Sequence, residues 1–214
     1  LEHSDQPNML KIFFLLHFST STVSIKVTPI SCDDIKIIPY SVETYENETT
    51  KMSPSTINVR SEIITFRVKN QNIPLLCCKL FNFFHYLERV DFDNCNIEKI
   101  ENCFSDKAQN VTDVIKITNN YITVIEKDTF RNLEVRQIIL LRNSIKIIED
   151  GAFANLINLD TIDLYQNHLS TINSNSFINL PSLTFIDLSF NRIKYLQRGV
   201  FGFCKAPSVH IYLA

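Results

Sequence analysis

The chain has 214 residues, is 45% apolar and carries a formal net charge of −2, so it can bury a sizeable core in one domain. That near-neutral balance advertises no polyanion-binding surface, and nucleic acid is not expected as a partner. Glycine is scarce at 3 residues, and no G-x-G-x-x-G or Walker sequence occurs, which argues against glycine-rich phosphate loops.

Residues 1–8 precede Met9 and read as upstream leader or cloning sequence. Met9-Leu10-Lys11 is followed by the apolar run Ile12–Leu16 with Phe18, then by Ser19, Thr20, Ser21, Thr22 and Ser24. A basic start, a short apolar core and small residues make 9–24 a secretory signal peptide. The run is well short of the ~20 residues a membrane span needs. The alternative is a buried strand or helix of the domain itself. Residues 25–62 read as an N-terminal cap: Cys32, the apolar stretch Ile35–Ile38, a polar loop over Glu43–Lys51 and a turn near Pro54. A strand or hairpin there would cover the first of the repeats that begin at Ile63.

From residue 63 to 206 the sequence repeats. Ile63, Phe66, Val68, Gln71, Ile73 and Leu76 begin a series continued by Leu87, Val90, Phe92, Cys95, Ile97 and Ile100. The next repeat carries Thr112, Ile115, Ile117, Asn120, Ile122, Ile125 and Phe130. Val135, Ile138, Leu140, Asn143, Ile145, Ile148 and Phe153 follow. Leu159, Ile162, Leu164, Asn167, Leu169, Ile172 and Phe177 come next, and Leu183, Ile186, Leu188, Asn191, Ile193, Leu196 and Phe201 complete six. Apolar positions at L-x-x-L-x-L-x-x-N-x-L with a period between 20 and 29 residues are the signature of a leucine-rich repeat. The fold class predicted is therefore an α/β solenoid, a horseshoe with short parallel strands on its concave face and irregular, 3-10 or helical segments on its convex face. After Phe201 the pattern decays, and 207–214 supplies a partial strand, Val209–Leu213, with no cysteine-rich cap. The array is expected to continue past it.

Each repeat position has a physical task. In the x-L-x-L-x core, alternate residues point inward and the intervening ones outward. The turn asparagines Asn120, Asn143, Asn167 and Asn191 form a buried structural column whose donors and acceptor satisfy backbone groups worth ~1–3 kcal/mol each if left unpaired. Cys95 and Gln71 stand in that column in the first two repeats. Phe130, Phe153, Phe177 and Phe201 pack the convex side.

Six cysteines occur. Stacking of adjacent repeats places Cys77 or Cys78 opposite Cys103 and leaves the other within reach of Cys32, giving two disulfides at the cap end, with Cys95 buried and Cys204 single. A vicinal redox pair Cys77–Cys78 is the alternative, without the C-x-x-C context that would favour it. The sequons at Asn47 and Asn110 are candidates for glycosylation in an exported protein. No His pairs with Cys at ligand spacing, so no metal is expected. No hydrolase motif occurs, so no catalytic residue and no cofactor is assigned, and the chain is not read as an enzyme.

The outward positions divide the array. In order they are Thr65, Arg67, Lys69; Arg89, Asp91, Asp93; Val114, Lys116, Thr118; Gln137, Ile139, Leu141; Thr161, Asp163, Tyr165; and Phe185, Asp187, Ser189. The first three repeats are polar. The last three, with Phe190 one step on, offer Ile139, Leu141, Asp163, Tyr165, Phe185, Asp187 and Phe190 as a ligand-binding patch. Asp163 and Asp187 should stand about one strand spacing, ~5 Å, apart. They form either an acidic strip on that face or, less in keeping with the pattern, an acid–base or cation-binding pair.

The repeats, Asn column and recurring Phe resemble the extracellular class found in Toll-like receptor ectodomains and in secreted insect leucine-rich-repeat proteins. The signal peptide, single-Cys cap and first repeat Ile64-Thr65-Phe66 to Ile73-Pro74-Leu76 are similar to mosquito leucine-rich-repeat immune factors. That resemblance implies recognition of a protein through the concave face, without a cofactor, service in innate immunity, and a location outside the cell or on the outer face of the plasma membrane. The alternative is the N-terminal part of a membrane-anchored receptor whose span lies beyond residue 214.

Overall fold

The computed structural model describes side chains for residues 65–76, 87–101, 111, 113–196, 199–202 and 210–213, and backbone alone for 10–11, 13–17, 22–26, 35–36 and 112. The strands in chain order are β1 (Leu10–Lys11), β2 (Phe13–His17), β3 (Thr22–Lys26), β4 (Ile35–Lys36), β5 (Thr65–Lys69), β6 (Leu75–Leu76), β7 (Leu87–Asp93), β8 (Lys99–Ile100) and β9 (Val111–Thr118). They continue as β10 (Val124–Ile125), β11 (Gln137–Ile139), β12 (Ile147–Ile148), β13 (Phe153–Ala154), β14 (Thr161–Asp163), β15 (Phe177–Ile178), β16 (Phe185–Asp187) and β17 (His210–Tyr212).

A nine-stranded sheet runs β17-β16-β14-β11-β9-β7-β5-β3-β2, parallel throughout except for the antiparallel β2–β3 pair at its edge. Part of the 9–24 segment, read as a signal peptide with a strand of the domain as the alternative, supplies β2 and the start of β3. The registered partners Thr65, Arg89, Val114, Gln137, Thr161, Phe185 and His210 lie 23 to 25 residues apart. The sequence period is therefore the rise of a solenoid.

The period-two pattern explains which face is packed. Phe66 and Val68, Val90 and Phe92, Ile115 and Ile117, Ile138 and Leu140, Ile162 and Leu164, and Ile186 and Leu188 are all 1% exposed or less. β-branched and aromatic residues dominate this set, as suits a pleated surface. On the convex side the irregular form of the two expected is found. Two-residue parallel ladders, β6–β8, β10–β12 and β13–β15, replace helices among the described residues. The Phe column stacks along this side, with ring centroids 5.3 Å apart for Phe130–Phe153 and Phe153–Phe177 and 6.0 Å for Phe177–Phe201.

The asparagine column does what its chemistry allows. Asn120 donates to the Phe92 and Thr118 carbonyls at 3.1 and 2.7 Å and accepts the Cys95 and Ile97 amides at 2.9 and 3.1 Å. Asn143, Asn167 and Asn191 each donate to a carbonyl of the preceding repeat and to one of their own. Asn167 and Asn191 also accept the Ile145 and Leu169 amides. Asn120, Asn143 and Asn167 are buried, whereas Asn191 is half-buried. Cys95 fills the column one repeat earlier, its thiol donating to the Val68 and Asp93 carbonyls at 3.4 Å. Gln71, the first member, donates to the carbonyls of its own turn, Lys69 and Asn70.

Where each concave strand ends the chain turns through a left-handed residue: Asn70, Asn94, Asn119, Arg142, Gln166 and Phe190 all have φ between 53° and 57°. Asparagine tolerates that region, while a bulky residue such as Phe190 does so at a cost of roughly 1–2 kcal/mol. The expected disulfide residues Cys32, Cys77, Cys78 and Cys103, together with Cys204, lie outside the described residues. So do the sequons at Asn47 and Asn110 and most of the 25–62 cap.

Candidate functional site

The outward face of the sheet is built by three rows of side chains crossing its strands. In the middle row the registered neighbours are Arg67, Asp91, Lys116, Ile139, Asp163, Asp187 and Tyr212. Because stacked strands stand about 4.8 Å apart, this order decides which charges meet.

In the first half opposite charges meet. Arg67 pairs with Asp91 at 3.0 Å and Lys69 with Asp93 at 3.1 Å. Asp113 is held between two arginines from the solenoid turns on either side, Arg89 of β7 at 3.0 Å and Arg136, just before β11, through Nε at 2.9 Å. Asp93 also accepts from the Asn119 amide at 2.7 Å and from the Thr118 hydroxyl. Burial would raise the Asp93 pKa, but the Asn119 bond, Lys69 and Thr118 outweigh it and hold the carboxyl below its ordinary value. Asp113 and Arg136 fall outside the x-L-x-L-x window and were missed by sequence reasoning. Their signal was the spacing Arg89–Asp113–Arg136, which runs one repeat length at each step.

The second half is different. All seven residues expected to form a patch lie on this face. Ile139, Leu141, Tyr165 and Phe185 are half-buried, and Phe190 is 62% exposed. The Tyr165 and Phe190 rings meet at 5.0 Å, tilted by 59°, and Phe185 meets Tyr212 at 5.4 Å, tilted by 41°. Tyr212 is a member the sequence did not offer, because its repeat had lost the pattern.

Asp163 and Asp187 are direct cross-strand partners. Each carboxylate accepts the amide two residues on: Asp163 Oδ1 from Tyr165 at 2.9 Å, Asp187 Oδ1 from Ser189 at 2.8 Å. No ion pair reaches either among the described residues. Burial pushes the Asp163 carboxyl above its ordinary value, the Tyr165 amide pulls it down, and the neighbouring Asp187 charge pushes it up again. Cys95, the one described thiol, is fully buried, and that burial raises its pKa; its place is in the structural column. Among the described residues no three His, Cys, Asp or Glu side chains converge as metal ligands would.

Residues 134–193 match the family model for the leucine rich repeat, a segment holding β11, β14 and β16 and so most of the patch. No curated protein matches the chain. Among solved structures it is similar to one described as the crystal structure of a TLR13–ssRNA13 complex, with a TM-score of 0.41 and 17% identity over 62% of this chain. The match spans 29% of that receptor's chain, and the RNA belongs to that complex.

Proposed function

We propose that the chain is an exported leucine-rich-repeat recognition module, non-catalytic, that binds a protein ligand through the second half of its concave sheet. The observation that carries this reading is the contrast between the two halves. In the first, each outward aspartate is bonded to a cation of a neighbouring strand. In the second, aromatic and aliphatic side chains stand beside two carboxylates that no cation among the described residues reaches. Aromatic residues over a firm sheet, with few competing internal bonds, are the makings of a binding patch. The sequons at Asn47 and Asn110 support export, to the extracellular fluid or the outer face of the plasma membrane.

The test is to change Leu141→Glu and Tyr165→Arg together and to compare capture of partners from the native extracellular fluid with that of the parent. Ile157→Glu, on an exposed residue away from the concave rows, serves as the control. Loss of capture in the double variant alone, with thermal melting retained, supports the reading. Capture unchanged by the double variant refutes it.

A further inference from the structure

We propose that Asp163 and Asp187 form a socket for an arginine side chain of the protein partner, walled by the Tyr165–Phe190 and Phe185–Tyr212 ring pairs. This inference rests on the concave-face reading above and adds the chemistry of the bound group. Charge complementarity carries it. The aspartates of the first half have their cations within the sheet: Arg67 for Asp91, Lys69 for Asp93, Arg89 and Arg136 for Asp113. The middle row then sets two aspartates side by side as direct cross-strand partners, an arrangement that destabilises a sheet. No lysine or arginine among the described residues pairs with either.

The local geometry keeps both carboxylates ready for a cation. The Tyr165 and Ser189 amides occupy one oxygen of each and fix the side chains. The second oxygens have no protein partner among the described residues and remain open to solvent. A guanidinium is planar, weakly hydrated and able to bridge two oxygen acceptors while its face lies on an aromatic ring. Tyr212 is the next residue in the same row as Asp187, and Tyr165 lies two residues beyond Asp163, so rings flank the acidic pair. A bare calcium ion fits less well, since it takes six to eight oxygens and two are free here. An incoming cation would offset the repulsion from Asp187, which together with burial pushes the Asp163 carboxyl up.

A random heptapeptide library displayed on phage, panned against the immobilised full chain, tests the proposal. Arginine should be enriched in the captured sequences, and Asp163→Asn with Asp187→Asn should return its frequency to that of the unselected library. Asparagine keeps the oxygen that accepts the Tyr165 and Ser189 amides, so these variants are expected to fold, which circular dichroism checks. A selected peptide resynthesised with citrulline, which keeps the shape and removes the charge, should bind about tenfold more weakly or worse. Equal binding of the citrulline peptide, or lysine taken as readily as arginine, overturns the proposal. Peptides lost on Tyr165→Ala with Phe190→Ala but showing no arginine enrichment overturn the socket and leave the concave-face reading standing. Capture indifferent to both pairs of substitutions overturns both, and calcium that displaces no arginine peptide yet binds in an Asp163-dependent way overturns the socket alone.

Discussion

Replacing Asn120 by alanine tests the physical account of the scaffold most directly. Asn120 is 3% exposed, and its oxygen is the acceptor for two buried amides, those of Cys95 and Ile97, at 2.9 and 3.1 Å. Alanine leaves both without an acceptor, and at about 1–3 kcal/mol for each orphaned buried group the expected loss is about 2–6 kcal/mol. The freed Phe92 and Thr118 carbonyls add less, because a carbonyl tolerates under-satisfaction better than an amide does. Asn167→Ala orphans one amide, Ile145, so about 1–3 kcal/mol is expected. Asn191→Ala also frees one, Leu169, but Asn191 is half-buried and water can take its place, so its loss should be the smallest. Against a total stability of about 5–15 kcal/mol the first change is severe. Urea unfolding followed by circular dichroism gives the three losses. A constant slope with denaturant confirms that the same surface is exposed in each variant, a necessary check in a stacked array. Faster hydrogen exchange at the Cys95 and Ile97 amides locates the damage. A loss for Asn120→Ala no greater than that for Asn191→Ala would refute the reasoning.

Two further outcomes come from the electrostatics and burial. Because the folded-state pKa of Asp163 is raised, its ionised form weakens the fold above that pKa, and the penalty fades as pH falls through it towards the unfolded value. Asp163→Asn should therefore melt higher than the parent at pH 7, by the equivalent of about 0.2–1 kcal/mol for a like-charge cross-strand pair. That advantage should vanish near pH 3, and a variant less stable than the parent at pH 7 would contradict it. The Cys95 thiol, fully buried and with its pKa raised by burial, should resist iodoacetamide in the native protein and react in urea, as read by mass spectrometry of its peptide; rapid native labelling would show that the column breathes.

How much of this was legible in the sequence depends on which residues set each feature. Inward positions are read easily, since Ile138, Ile162 and Ile186 recur at one period and have only one face on which to be buried. The Asn column is also readable, because a buried amide side chain at fixed spacing has backbone as its only abundant partner. The Asp113 clamp was not. It arises beside an irregularity in the β7–β9 pairing, where the register shifts between Leu87 and Arg89, and a fixed repeat template has no place for the extra residue. The convex face was legible only as a choice between forms, because its two-residue ladders are too short to show a period of their own. The left-handed turn at Phe190 has no local signal either. Asn70, Asn94 and Asn119 favour that conformation, and phenylalanine inherits it because the repeat imposes the same turn 24 residues after Gln166.

That inheritance explains why the two halves of one sheet can diverge. The strands are held in register by the inward side chains, the Asn column and the stacked phenylalanines, none of which depends on what points outward. Outward positions are thus free to serve either the sheet or a ligand. In the first half they serve the sheet, with each aspartate bonded to a neighbouring strand. In the second half three features each make the free protein slightly less stable: two adjacent aspartates with no cation partner among the described residues, a phenylalanine in a left-handed turn, and aromatic rings left open to water. Local conflict of this kind, gathered on one face of an otherwise consistent array, is where a folded chain departs from stability for the sake of function. A bound arginine would relieve the first conflict and cover the third. Asp163→Asn should accordingly stabilise the free protein and weaken the complex, opposite signs from one atom's change, whereas a purely structural acidic pair would move stability alone.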